Sequence, residues 1–292
     1  MPTTSISAGD TASTSRPTRA VPTVVIRPQR GLVNLDLAGL WEFREILYFL
    51  VWRDIKLRYK QTAIGAAWAV LQPLATMAIF TIIFGHLAKI PSDGLPYAIF
   101  SFTGLLPWIY FSQAIARSGG SVVGDANLIK KVYFPRLLIP IAAVLSPLVD
   151  FLISFVILLG MAAWFGIRPG WNILTVPLFL VLAMISALAA GLWLSALNVR
   201  YRDVGHALPF LIQIWLYASP VAYSVALIPE KWRLVYGLNP MAGAIEGFRW
   251  ALLHKDRPAL GVIAMSTVVV LALLIGGVIF FKRFERSFAD VV

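Results

Sequence analysis

The clearest pattern along this chain is a basic stretch that passes directly into a long apolar run. Residues 53–60 carry four basic side chains, and the uncharged run Ala66–Ala88 follows within a few residues. At about 1.5 Å of rise per residue, this run is long enough to cross the roughly 30 Å hydrocarbon core of a bilayer. The pattern predicts a helix at the membrane surface that leads into a first membrane span.

Five further apolar runs are each long enough to span: Tyr97–Ala116, Leu137–Phe165, Leu174–Val199, Gly205–Leu227 and Leu260–Phe281. The second of these is overlong and contains Pro140 and Pro147, which predict a bend or a tilt. The predicted fold is therefore an all-α integral membrane protein with six transmembrane helices, within a membrane domain at residues 63–285.

Composition supports a membrane protein and sets its orientation. Charged residues make up 13% of the 292, well below the roughly 25% of soluble domains, and the mean hydropathy is +0.79. The net charge of +11 indicates contact with membrane lipids rather than with nucleic acid. Eighteen of the 25 Lys and Arg residues fall in the segments that six crossings place on the side of the termini. Both termini are therefore expected in the cytoplasm.

The ends of the chain are expected to lie outside the membrane domain. Residues 1–38 are rich in Ser, Thr and Pro and should form a disordered cytoplasmic start, and residues 286–292 form a cytoplasmic tail. Cysteine is absent from the sequence, and the three histidines are scattered. We therefore predict neither a disulfide framework nor a metal site.

Residues 39–62 are predicted to form an amphipathic helix in the plane of the membrane surface. At 100° per residue, Glu42, Lys56 and Lys60 lie on one side, and Phe43 and Leu50 lie on the other. Some charged residues break this pattern, among them Asp54 and Arg58. The helix is either a lipid anchor or a docking surface for a cytoplasmic partner, whose candidate residues are Arg53, Asp54, Lys56 and Arg58.

The inside segment 117–136 is expected to hold a short helix, capped by Asp125 or Asn127 and ended by Pro135. Either this segment only anchors the topology through its positive charge, or its apolar side chains require a partner. The candidate docking residues are Asn127, Leu128, Ile129, Lys130, Lys131 and Tyr133.

The outside segment 228–259 contains a stretch, Met241–Leu253, that is too short to cross the bilayer but apolar enough to enter it. Gly243 and Gly247 permit close helix contact, and Glu246 can pair with Arg249. We predict a re-entrant helical hairpin between spans five and six, with a helix lying flat on the outer leaflet as the alternative. Its candidate outer-mouth residues are Asn239, Pro240, Glu246 and Arg249.

Aromatic and neutral polar side chains within the spans suit sugar rings, although most of them are typical belt and packing residues. Asp150, inside the third run, must face protein or a cavity, either in a structural ion pair or on a transport path. The candidate channel-lining residues are Trp68, Gln72, Tyr110, Phe111, Asp150, Tyr217 and Tyr223.

Four blocks together resemble the membrane subunit of bacterial polysaccharide-exporting ABC transporters, which export O-antigens, capsules and teichoic acids: Arg53–Pro73, Asn127–Pro140, Leu194–Val204 and Asn239–Leu253. The run Leu194–Val204 looks most like the O-antigen branch. The resemblance implies a multi-pass protein of the bacterial inner membrane that forms a homodimer around a channel. It also implies two cytoplasmic ATPase subunits, which bind ATP and Mg²⁺, and a glycan cargo on a polyprenyl-diphosphate lipid.

Three other activities would each need sequence features that differ from those of this chain. None of the eight lysines follows a glycine, so the chain lacks the phosphate-binding motif that ATP hydrolysis would need. An intramembrane enzyme, such as a lipid-linked glycosyltransferase, would gather acids, His or Lys near one face. A secondary transporter would show internal repeats and several midplane ionisable groups. The sequence favours a non-enzymatic permease subunit of an exporter, for O-antigen-like or for another lipid-linked or hydrophobic cargo.

Overall fold

The computed structural model describes residues 37–60, 65–168, 170–253 and 260–285, and within these ranges the chain is helical without β-strands. The helices are α1 (Leu37–Glu42), α2 (Arg44–Lys60), α3 (Gly65–Phe80), α4 (Tyr97–Gly124), α5 (Ala126–Lys131), α6 (Leu138–Leu145), α7 (Leu148–Trp164), α8 (Val176–Arg200), α9 (Asp203–Ala218), α10 (Glu230–Tyr236), α11 (Pro240–Leu253) and α12 (Leu260–Glu285). The predicted all-α class is confirmed. Three predicted segments lie outside the described ranges, namely the start up to residue 36, residues 61–62 and the tail 286–292.

Within the described residues, five helical segments are long and apolar enough to cross a membrane: Ala67–Leu87, Tyr97–Gly124, Leu138–Trp164, Trp171–Arg200 and Leu260–Glu285. Each coincides with a predicted span to within a few residues at its start. The second and fifth extend further at their carboxyl ends, to Gly124 and Glu285, because the helices continue beyond the apolar run. A π-helical segment, Thr81–Leu87, completes the first.

The predicted fifth span, 205–227, is wrong as a continuous helix. α9 ends at Ala218, so its 16 residues rise about 24 Å, which is less than the bilayer core. The physical cause is Pro220, which disfavours helical geometry at the residue before it, and Ser219 is extended, with φ −103° and ψ 149°. The six-span count is therefore not confirmed.

The third predicted span is interrupted at only one of its two prolines. Ser146 and Pro147 separate α6 from α7, while both residues keep right-handed helical dihedrals. Pro140 lies in the first turn of α6, where its missing N–H has no intrahelical partner to lose. The interruption at Pro147 places Asp150 in the first turn of α7.

The centre of the molecule is formed by α4 and α8, with α11 packed against both and against α12. Two glycines allow α11 to approach so closely. A Cβ at Gly247 would lie 2.1 Å from the Phe179 ring in α8, and a Cβ at Gly243 would lie 3.2 Å from the backbone of Ile263 in α12. The predicted small-residue contact is therefore confirmed, and it encloses almost every side chain of α11.

Substitution of Gly247 by Ala should destabilise the protein, because the buried Phe179 ring cannot move away from the added methyl group. We expect a loss of about 1–3 kcal/mol, seen as a lower melting temperature of the full-length protein in detergent. Gly160→Ala in α7 is the matched control, since its added Cβ meets no atom within 4 Å. An equal melting temperature for Gly247→Ala and the wild type would contradict this packing.

Candidate functional site

The surface helix α2 is tied to the short helix α5 by an ion pair between residues 72 positions apart. The Arg53 guanidinium donates two parallel hydrogen bonds to the Asp125 carboxylate, at 2.8 and 2.9 Å, and it also contacts Asp54 at 2.9 Å. The bond to Asp125 is the main cause of a raised pKa of Arg53; burial opposes the shift and Asp54 supports it. Arg53 and Asp125 therefore hold α2 against the start of α5.

The geometry of α5 corrects two predictions. The side chain of Asp125, which stands at the N-cap of α5, makes no capping hydrogen bond, because both its oxygens accept from Arg53. The helix also ends at Lys131, well before Pro135.

Much of the apolar surface expected on α5 is covered by the same chain. Ile129 and Phe134 are only 8% and 6% exposed, in a cluster that includes Leu50 of α2. Ile129 is therefore covered by α2 of the same chain, and Leu128 is partly buried against the same cluster. The predicted docking residues that remain exposed on or near these helices are Lys56, Asn127, Lys130, Lys131 and Tyr133.

A second ionic contact fixes the carboxyl end of α2 to the third span. Arg58 forms an ion pair with Asp150, and the Tyr59 hydroxyl donates a hydrogen bond to the same carboxylate. Burial, followed by the bond to Asp150, raises the pKa of Tyr59 to about 12, so the phenol keeps its proton at neutral pH. Asp150 is thus neutralised by α2, in the structural role that its position in a span requires.

The predicted channel-lining residues separate into two groups. Trp68, Gln72, Tyr110 and Asp150 border a cavity of about 10 Å³ between α3, α4 and α7, with room for about one water. Trp68 and Gln72 are exposed on α3. Tyr110 and Phe111 are 2% and 0% exposed, and both pack in the interior of one copy of the chain.

Two tyrosines of the predicted channel lie beside the interruption that follows α9. Tyr217 is exposed on α9, and the Tyr223 hydroxyl bonds to its backbone carbonyl at 3.2 Å. The same hydroxyl lies 2.8 Å from that of Tyr236, whose pKa is raised by burial and then by this hydrogen bond. The hydroxyls of Tyr223 and Tyr236 therefore form a connected polar patch at the end of α10.

The predicted pair in the outside segment is present. Arg249 is fully buried and contacts Glu246 at 3.1 Å. It also donates to the backbone carbonyls of Val221 and Tyr223, at 2.7 and 2.9 Å, and stacks on Phe100 at 3.8 Å. Arg249 thereby satisfies backbone groups that the end of α9 leaves without helical partners.

Asn239 joins α11 to the end of α9. Its Oδ1 accepts from the backbone N–H of Met241, which caps α11, and from the Trp215 indole at 3.1 Å. Its Nδ2 donates to the carbonyl of Ala218. Pro240 occupies the first position of the helix, where a missing N–H costs nothing. The outer-mouth residues therefore form one hydrogen-bonded unit with α9.

Sequence reasoning missed Arg117, which lies in α4 close to Arg58 and Asp54. It also missed Ser266 of α12, whose hydroxyl bonds to backbone groups at the start of α11. The available signal for Arg117 was a basic residue at the end of an apolar run. A serine within an apolar helix gives no comparable signal.

A sequence profile described as "ABC-2 type transporter" matches residues 45–253, more than half of the chain. The chain belongs to the ABC-2 type transporter family. The ABC-2 match covers α2 through α11, which includes both ionic contacts of α2 and the buried Arg249.

Individual relatives agree with this assignment. The ABC-2 permease is 29% identical over 257 residues to the O-antigen export system permease protein RfbA of Myxococcus xanthus, covering 87% of this chain and 97% of that protein. It is 27% identical over 254 residues to RfbA of Klebsiella pneumoniae, with 85% and 95% covered. It is 26% identical over 228 residues to the polysialic acid transport protein KpsM of Escherichia coli, with 75% and 86% covered.

The ion pair between Arg58 and Asp150 yields a stability prediction. Arg58→Met should destabilise the ABC-2 permease by about 3 kcal/mol, because it leaves the Asp150 carboxylate buried without its cation. The double variant Arg58→Met, Asp150→Leu should recover most of that loss, since it removes the charge as well. Both are measured by thermal unfolding of the purified protein in detergent. A double variant that is as unstable as Arg58→Met would contradict this account.

Proposed function

We propose that this chain is the channel-forming subunit of an ATP-driven exporter that moves a polysaccharide attached to a polyprenyl-diphosphate lipid out of the cytoplasm. The observation that carries the proposal is the similarity to two O-antigen export permeases over 95% or more of their lengths. Similarity to a polysialic acid transport protein keeps a capsule-type glycan as a second candidate cargo. Teichoic acids and hydrophobic drugs are further lipid-linked or hydrophobic cargoes that the same architecture could carry.

In this proposal, two copies of the chain form the channel in the bacterial inner membrane, with both termini in the cytoplasm. α9 and the segment that follows it make the fifth of six crossings together. α11 forms the re-entrant arm that narrows the outer mouth, which its nearly complete burial and the internal pairing of Arg249 support. Exposed aromatic side chains, such as Trp68 and Tyr217, contact the glycan.

Two separate ATPase subunits, which bind ATP and Mg²⁺, dock on α5 and on the exposed side of α2. Lys130 and Lys131 are exposed at the end of α5, and the Tyr133 side chain is 79% exposed just beyond it. Because Asp125 at the start of α5 is bound by Arg53 of α2, a force on α5 is transmitted to α2. Arg58 and Tyr59 transmit it to the third span through Asp150.

The double variant Lys130→Glu, Lys131→Glu should weaken ATPase docking at least tenfold, because it reverses two exposed charges on α5. The measurement is the amount of co-expressed ATPase that copurifies with the full-length protein in mild detergent, together with glycan export in cells. Lys231→Glu, a charge reversal on the exposed surface of α10, is the matched control and should leave both unchanged.

Equal copurification and export in the wild type and the α5 double variant would contradict the docking role of α5. Export by the permease in cells that lack every ATPase partner would overturn the proposed function itself.

A further inference from the structure

An open groove of about 470 Å³ lies between α2, α4 and α6. Its walls carry Arg53 and Arg58 from α2, Arg117 and Gly120 from α4, and Asp125 from the junction of α4 and α5. Arg117 is the first residue of the predicted inside segment, where the second apolar run ends. The groove therefore lies at the depth of the headgroups in the inner leaflet, if the predicted orientation of the spans holds.

The three arginines along this groove differ in whether an acidic side chain pairs with them. Arg53 is bound by Asp54 and Asp125, and Arg58 is paired with Asp150. Arg117 has neither a hydrogen bond nor an ion pair with any residue in the part of the chain that the structure describes. Its largest electrostatic interaction with another side chain is repulsion from Arg58, ahead of attraction to Asp150 and Asp54. A partly buried cation that faces a second cation is costly unless an anion joins them.

The lining of the groove offers two kinds of polar group to a ligand. Arg117 and Arg58 carry guanidinium donors, whose planar fork matches the oxygens of a phosphate. Asp54 and Asp125 carry carboxylates, which accept hydrogen bonds. A ligand that matches both kinds of group has a phosphate with hydrogen-bond donors on the adjoining group.

We propose that this groove binds the phosphate of a lipid headgroup through Arg117, with the adjoining amine or hydroxyl donors directed toward Asp54. Two sources share this chemistry, namely the phosphoethanolamine headgroup of a bilayer lipid and the sugar diphosphate of a lipid-linked glycan. The volume lies within the range of small-molecule sites, and a Cβ at Gly120 would meet no atom within 4 Å, so the wall leaves space for a headgroup. The site does not depend on the exported cargo, since a structural lipid would bind in the same way.

Native mass spectrometry of the full-length protein in detergent tests the proposal. Three lipids are titrated separately: phosphatidylethanolamine, a diacylglycerol with the same acyl chains, and polyprenyl-diphosphate-linked N-acetylglucosamine. Arg117→Gln should weaken binding of at least one phosphate-bearing lipid about tenfold and leave diacylglycerol binding unchanged. The lipid that responds identifies the source. Arg202→Gln, which removes an exposed arginine near the start of α9, is the control and should leave the binding of all three lipids unchanged.

A second variant tests the groove without altering any charge. Gly120→Leu projects a side chain into the open space and should weaken binding of the same lipid, while its melting temperature should be no lower than that of the wild type, because leucine favours a helix over glycine. Undiminished lipid binding in Arg117→Gln and Gly120→Leu would overturn the proposal. An equal loss in Arg202→Gln, or an equal loss of diacylglycerol binding, would overturn it too.

Discussion

A carboxylate within an apolar membrane helix must be neutralised, and in this permease Asp150 is neutralised from outside its own helix. The neutralising groups, Arg58 and Tyr59, belong to α2, so this requirement fixes the surface helix against the third span. Arg53, more than one turn earlier in α2, then faces Asp125 and fixes the start of α5. Two ion pairs therefore fix where α2 and the start of α5 lie, and the groove beside Arg117 is the space that this arrangement leaves between α2 and α4.

The sequence predicts the elements of this fold better than it predicts their partners. Length and hydropathy locate the five long spans, and the acid in the third run indicates that a counter-charge is needed. They do not identify Arg58 and Tyr59 as its partners. Tyr59 and Asp150 are 91 residues apart in sequence, and nothing local links them. Two of the charges that break the predicted amphipathic pattern of α2, Asp54 and Arg58, were the available signal, since charges on the apolar side of a surface helix face the protein.

The errors have physical causes of the same kind. Counting apolar residues overestimates the length of α9, because the backbone restriction imposed by Pro220 outweighs hydropathy. Counting apolar residues on α5 overestimates its free surface, because a helix of six residues buries Ile129 against α2. By contrast, Glu246 and Arg249 pair as predicted, since residues three apart on a helix are neighbours regardless of what surrounds them.

The end of α9 also determines how this protein adapts to the thickness of its membrane. The carbonyls of Ala218, Val221 and Tyr223 accept hydrogen bonds from Asn239 and Arg249, so adding a helical turn there would break several bonds to α11. This helix cannot lengthen to match a thicker bilayer. The lipids around it must compress instead, at a cost of fractions of a kcal/mol per Å of mismatch. A locally thinned bilayer beside α9 is the expected result.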